Sequence, residues 1–159
     1  MGPVAEMIKV KRIDHVAIAV ADRDAAAQQL QTVFALDARS PEHVAAQKTD
    51  VLFLHAGTGG GAHDDAAVEL IAPAGNPTLE KFLTNRGPGL HHICFEVEDL
   101  PAALAQLKSA GVRLIDEVPR LGARGHMVAF LHPSATGGVL FELCAVTPAA
   151  ENTSAGAAS

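Results

Sequence analysis

Tryptophan and tyrosine are absent from this 159-residue chain, and six phenylalanines are its whole aromatic content. There is no indole or phenol ring to stack on bases, and a net charge of −6 leaves no basic stripe. Nucleic acid is therefore not expected as a partner. Cysteine is nearly as scarce. Cys94 and Cys144 both fall inside apolar stretches, and two such thiols without an extracellular context are expected to be reduced, small core side chains rather than a disulfide. Long hydrophobic runs are missing too. Although 48% of the residues are apolar, no stretch approaches the ~20 apolar residues of a membrane span. The N-terminus lacks the basic, apolar and small-residue order of a secretory signal, and Glu6 stands where a myristoylation motif needs Ser or Thr. The expectation is a cytoplasmic protein with no membrane partner.

What the chain does have is a repeat. Arg12-Ile13-Asp14-His15-Val16-Ala17-Ile18-Ala19-Val20 aligns with Gly89-Leu90-His91-His92-Ile93-Cys94-Phe95-Glu96-Val97, His15 on His92, with the bulky side chains in phase. Side chains alternate along a strand. Val16, Ile18 and Val20 then share one face and leave His15, Ala17 and Ala19 on the other, while Ile93, Phe95 and Val97 oppose His92 and Cys94. Each histidine thus sits on a face of small residues, with room above it. His91 is expected to point with the helix-packing side or to its edge.

Each half also ends in an apolar strand interrupted by one carboxylate, Val68-Glu69-Leu70-Ile71 and Val139-Leu140-Phe141-Glu142-Leu143-Cys144. An unpartnered buried carboxylate is costly, so a cation on that face accounts for all four polar groups together. His15, Glu69, His92 and Glu142 form a nitrogen and oxygen donor set suited to Zn²⁺, Co²⁺, Mn²⁺ or Ni²⁺. His43, His55, His126 and His132 have no counterpart in the repeat and read as surface or substrate-edge groups, and Glu96 and Glu98 as solvated or strand-end charges.

The coarse plan is α+β: two βαβββ modules, 11–75 and 89–146, forming one curved mixed sheet in a single domain over 11–146. Residues 1–10 are expected to be a flexible N-terminus and 147–159 a disordered tail. Asp22 and Asp99 are the expected helix N-caps. Ala27, Leu30 and Phe34 mark the core face of the first helix, and Gly111 ends the helix of the second half. A glycine-rich loop spans Gly57 to Asp65, Pro77 opens a short linking helix, and further strands are expected at 39–45, 50–54, 112–118, 126–131 and 138–145.

Ile13-Asp14-His15-Val16-Ala17, Gly89-Leu90-His91-His92-Ile93, Gly111-Val112-Arg113-Leu114-Ile115-Asp116-Glu117, Phe130-Leu131-His132-Pro133 and Gly138-Val139-Leu140-Phe141-Glu142-Leu143 resemble the methylmalonyl-CoA epimerase family of the vicinal oxygen chelate (glyoxalase-like) superfamily. The resemblance runs from about residue 12 to 146. It implies metal ligands at His15, His92 and Glu142, with Glu69 where relatives carry Gln or Glu, and a homodimer acting on an acyl-CoA thioester. It implies proton transfer at the carbon between thioester and carboxylate, through an enediolate stabilised by the metal, with Glu142 as one acid or base. The family's second glutamate belongs in the strand that here reads Gln47 to Leu54, which leaves Asp50, Glu42 and Glu69 as candidates. Ser134 stands where relatives often carry lysine. Two other readings share the fold: another metalloenzyme, a glyoxalase I-like lyase or ring-cleaving dioxygenase, and a non-catalytic small-molecule-binding protein.

Overall fold

The structure is a computed structural model that describes residues 8–57 and 65–146. The expectations for the N-terminal end, the glycine-rich loop and the tail fall wholly or mainly outside those residues. The strands are β1 (Val10–Ala19), β2 (Asp37–Val44), β3 (Thr49–His55), β4 (Ala67–Pro73), β5 (Gly89–Val97), β6 (Arg120–Leu121), β7 (Met127–Phe130) and β8 (Phe141–Ala145). The helices are α1 (Arg23–Phe34), α2 (Pro77–Arg86) and α3 (Leu100–Ser109). All eight strands form one curled mixed sheet in the order β2-β3-β4-β1-β5-β8-β7-β6. Each half supplies a strand, a helix and three strands, and β1 meets β5 antiparallel at the centre.

The helices begin where the caps require. Asp22 accepts from the backbone N–H groups of Asp24 and Ala25, and Asp99 from that of Ala102, so the same device opens the helix of each half. Helix α1 lays Ala26, Ala27 and Leu30 over Ile18, Val20, Leu52, Leu54 and Leu70. Helix α3 lays Leu100, Ala103, Leu104 and Leu107 over Val97, Ala129, Leu131 and Leu143. Both cover the outer face and leave the inner one to the histidines. Phe34, expected in the core, is 64% exposed. The apolar stripe of α1 stops at Leu30 because Ala35 turns into the left-handed region and Leu36 takes the next packing position.

The 112–118 segment is not a strand. Only Leu114 bridges to Leu131. The N–H groups of Ile115 and Asp116 both donate to the Phe130 carbonyl, and the Asp116 carboxylate accepts from the Phe130 N–H. A side chain thus takes the place of a ladder partner, and Pro119, with no N–H to give, follows. The edge strand β6 is left with two residues.

The register places the functional side chains. In the first row across the inner face, Phe53 pairs with Glu69, Glu69 with Ala17, and Ala17 with His92. In the second, His15 pairs with Cys94, Cys94 with Glu142, and Glu142 with Phe130. Each row therefore sets a carboxylate and a histidine on either side of one small residue, and the two rows are copies under the repeat.

Candidate metal centre

The floor of the inner face is Ala17 and Cys94, both fully buried, and their small size lets four larger polar side chains lean over them. His15 Nε2 lies 2.8 Å from a Glu69 carboxylate oxygen and 3.6 Å from Glu142. His92 Nε2 lies 3.7 Å from each of the two carboxylates and 3.3 Å from His15 Nε2. All four side chains are buried. The sequence-derived set therefore converges on one point, with both imidazoles presenting Nε2 to it.

Two irregularities of the central ladder complete the arrangement. Ile13 pairs with Phe95 and His15 with Cys94, so Asp14 is the extra residue on β1. Ala17 pairs with His92 and Ile18 with Leu90, so His91 is the extra residue on β5. A bulge re-aims the side chain it carries. Asp14 is accordingly buried beside His15, its Oδ2 2.7 Å from His15 Nδ1. Asp14 also accepts from Arg124 at 2.5 Å and from Arg12 at 3.0 Å. His91, expected on the helix side or at the strand edge, instead lines the inner cavity with its Nδ1 2.9 Å from His92 Nδ1.

Proton affinities follow from these contacts. Burial alone lowers the pKa of His15, but Glu69, Asp14 and Glu142 outweigh it and raise the group to about 10. His92 is held well below the usual histidine range by burial and by the neighbouring His15 and His91. Burial lowers His91 as well, with Glu69 opposing and Arg86 adding. Glu142 is pushed up to about 8 by burial, with His15 opposing and Glu69 adding. Asp14 stays below the ordinary carboxylate range because His15 and Arg124 overcome its burial. The four-residue cluster thus draws protons onto His15 and Glu142, as an anion-rich site short of positive charge does. A divalent cation supplies that charge in place of the protons. The ligand atoms of His15, Glu69 and His92 lie within 4.8 Å of one another, as do those of His15, Cys94 and Glu142. The donor set fits a divalent metal.

The cluster lies at the bottom of a cavity of about 480 Å³, whose wall also carries Lys48, Arg120, Arg124 and His126. Arg124 stacks over Phe53, 4.0 Å from the ring centroid, and Arg120 lies over Phe130 at 5.4 Å. Of the carboxylates considered for a second acid or base, Glu69 lines the cavity and Glu42 accepts from the Arg124 N–H, while Asp50 is tied to His43 away from it. Glu96, expected to be solvated, is buried against Arg12 at 2.7 Å. His126 belongs to the cavity wall, and its buried Nδ1 has no hydrogen-bond partner among the described residues. Cys94 and Cys144 are free and buried together with Val128. Asp14 and Arg124 carry no sequence signal of their own, although the repeat alignment of Asp14 with His91 marks the bulged pair.

A family model of the Glyoxalase/Bleomycin resistance protein/Dioxygenase superfamily matches residues 14–130. The chain is 36% identical over 137 residues to the ethylmalonyl-CoA/methylmalonyl-CoA epimerase of Cereibacter sphaeroides, covering 84% of this chain and 97% of that one. The crystal structure of methylmalonyl-CoA epimerase from Mycobacterium tuberculosis superposes with a TM-score of 0.78 at 36% identity, over 87% of this chain and 90% of that one. A variant of Streptomyces coelicolor methylmalonyl-CoA epimerase in complex with 2-nitronate-propionyl-CoA superposes with a TM-score of 0.79 at 31% identity, over 87% and 99%. The chain belongs to the glyoxalase/bleomycin resistance protein/dioxygenase superfamily, in its methylmalonyl-CoA epimerase family.

Proposed function

We propose that this chain interconverts (2R)- and (2S)-methylmalonyl-CoA by removing and returning the proton at C2, with a divalent metal held by His15, Glu69, His92 and Glu142. The observation that carries the reading is the convergence of those four buried side chains at the bottom of one cavity. The nitrogen and oxygen donors suit Co²⁺, Zn²⁺, Mn²⁺ or Ni²⁺. Such an ion supplies Lewis-acid stabilisation of the negative charge that develops on the thioester oxygen as the proton leaves.

The remaining chemistry falls to the chain itself. Glu142, which lines the cavity beside His15 and His92, is the carboxylate assigned to taking a proton from carbon and giving one back. Lys48 and Arg120 bring positive charge to the cavity wall for an anionic substrate. Inversion needs a second acid or base on the opposite face of C2, and the candidates are Glu69 in the cavity wall and Glu42 beside Arg124. Glutamine at each position separates them: the residue that serves the opposite face loses exchange with one epimer while keeping it with the other.

A second cavity of about 530 Å³ adjoins the first along Thr78, His91, His92 and Leu140, and carries Lys81 and Arg86 with Phe82 and Leu90. Apolar walls with cationic side chains suit a pantetheine arm and its phosphates, and we assign the CoA portion to it. A cytoplasmic homodimer belongs to the same proposal. Among the described residues no helix is long and apolar enough to cross a membrane. Sedimentation at several concentrations reads the oligomeric state.

The test is turnover in deuterated solvent. Each epimer of methylmalonyl-CoA should yield the other with deuterium at C2, while hemithioacetal and catechol substrates should be left unchanged. Turnover of either of those without epimerisation would move the chain to another activity of the superfamily.

A further inference from the structure

We propose that His91 is the positioning residue for His92, as Asp14 is for His15, so that the residue preceding each ligand in the chain orients it. The inference rests on the metal-binding reading above. Adjacent side chains of a regular strand leave on opposite faces and cannot hydrogen-bond to one another. Both pairs escape that rule in the same way. Of the three register shifts in the β1/β5 ladder, the two beside the ligands make Asp14 and His91 extra residues, and these two occupy equivalent places in the repeat. The pairing of His15 with Cys94 is the repeat image of the pairing of His92 with Ala17, so each bulge sits immediately before its ligand.

The resulting contacts are parallel. Asp14 Oδ2 is 2.7 Å from His15 Nδ1, and His91 Nδ1 is 2.9 Å from His92 Nδ1. In each ligand Nδ1 is engaged from behind, and Nε2 is turned to the other ligands, with 3.3 Å between the two Nε2 atoms. With a metal on Nε2 that atom would carry no proton, so neutral His92 would hold its proton on Nδ1 and donate it to His91 Nδ1. His91 would then be the acceptor, with its own proton on Nε2. Phe82 meets the His91 ring edge-on, with 5.0 Å between ring centroids, which limits the directions the acceptor can take. An outer partner of this kind fixes the tautomer and ring angle of a ligating histidine and raises its basicity. The two halves differ in strength: His15 is backed by a carboxylate, His92 by a neutral ring. The His92 side is the weaker and the more dependent on geometry.

The experiment titrates Co²⁺ into the chelator-stripped full chain and into His91→Phe and His91→Asn, against a chromophoric competitor, recording the visible Co²⁺ spectrum and the unfolding temperature of each apoprotein. Phe keeps the ring without an acceptor, while Asn places Oδ1 near the position of Nδ1. His91→Phe should bind Co²⁺ about 10–100-fold more weakly, with altered visible bands and an apoprotein as stable as wild type. His91→Asn should recover most of the affinity and the wild-type spectrum. A His91→Phe protein with wild-type affinity and spectrum overturns the proposal, as does His91→Asn binding no better than His91→Phe. Wild-type chain that takes up no Co²⁺ defeats the metal reading itself, whereas wild-type uptake with indifferent variants defeats only the role of His91.

Discussion

Asp14→Asn removes one negative charge from a side chain that has no exposed surface and three charged or chargeable partners, His15, Arg124 and Arg12, at 2.5–3.0 Å. Asparagine keeps one acceptor but turns the other atom into a donor, which must face either a guanidinium or the His15 Nδ1–H. Breaking a buried ion pair from one side costs about 3–5 kcal/mol. The side chains of Arg12 and Arg124 are 30% and 22% exposed and can recover water, which reduces the cost to about 2–3 kcal/mol. For a chain of this length the melting temperature should fall by about 5–10 °C. The contribution depends on pH with a definite sign. The folded carboxyl titrates below its ordinary value of 3.8, so its stabilisation is fully present above that pH and is lost as the pH falls further, toward the folded value. Thermal melts of both proteins followed by circular dichroism should show a constant gap from neutral pH down to about 5, narrowing below about 4. An unchanged melting temperature, or a gap that widens on acidification, would refute the role given to Asp14.

Glu142→Gln keeps an oxygen donor and removes basicity, so metal content should stay near normal while turnover falls about 10²–10⁴-fold; a joint loss of metal and turnover would make Glu142 a ligand only. His15→Ala and His92→Ala should each lose bound metal and turnover, measured by metal analysis of the purified proteins, and full metal retention by either would break the proposed ligand set. Gly122→Ala adds a Cβ that meets Val128 methyl carbons at 2.8 and 3.1 Å, a close approach that should lower stability by about 1–3 kcal/mol. Wild-type stability in a denaturant titration would mean that the loop gives way at no cost.

The repeat and strand alternation single out His15 and His92, and Glu69 and Glu142 stand out as lone carboxylates in apolar strands; the fold brings all four side chains together on the inner face. Strand alternation misplaced His91 and was silent on Asp14, because both sit at bulges. A bulge is a property of two strands in register, and β1 and β5 are separated by some seventy residues of sequence. Glu96 looked like a strand-end charge until the fold brought Arg12 against it. Arg124 had no period to announce it. It stands in a one-turn loop with a left-handed backbone and reaches Asp14 across the sheet. Phe34 obeyed the helical spacing but lay one turn past the end of the packed stripe. Local patterns therefore reported the faces of elements, and long-range pairing decided which side chains meet.

Anomalous diffraction at the cobalt edge from crystals of the Co²⁺-loaded chain tests the centre most directly. The expected result is a single strong peak among His15 Nε2, His92 Nε2 and the carboxylates of Glu69 and Glu142, at about 2.0–2.2 Å from each ligating atom, as for nitrogen and oxygen ligands of a comparable ion. A peak beside Cys94 and Cys144 instead, or none in a crystal that binds cobalt elsewhere, would contradict it.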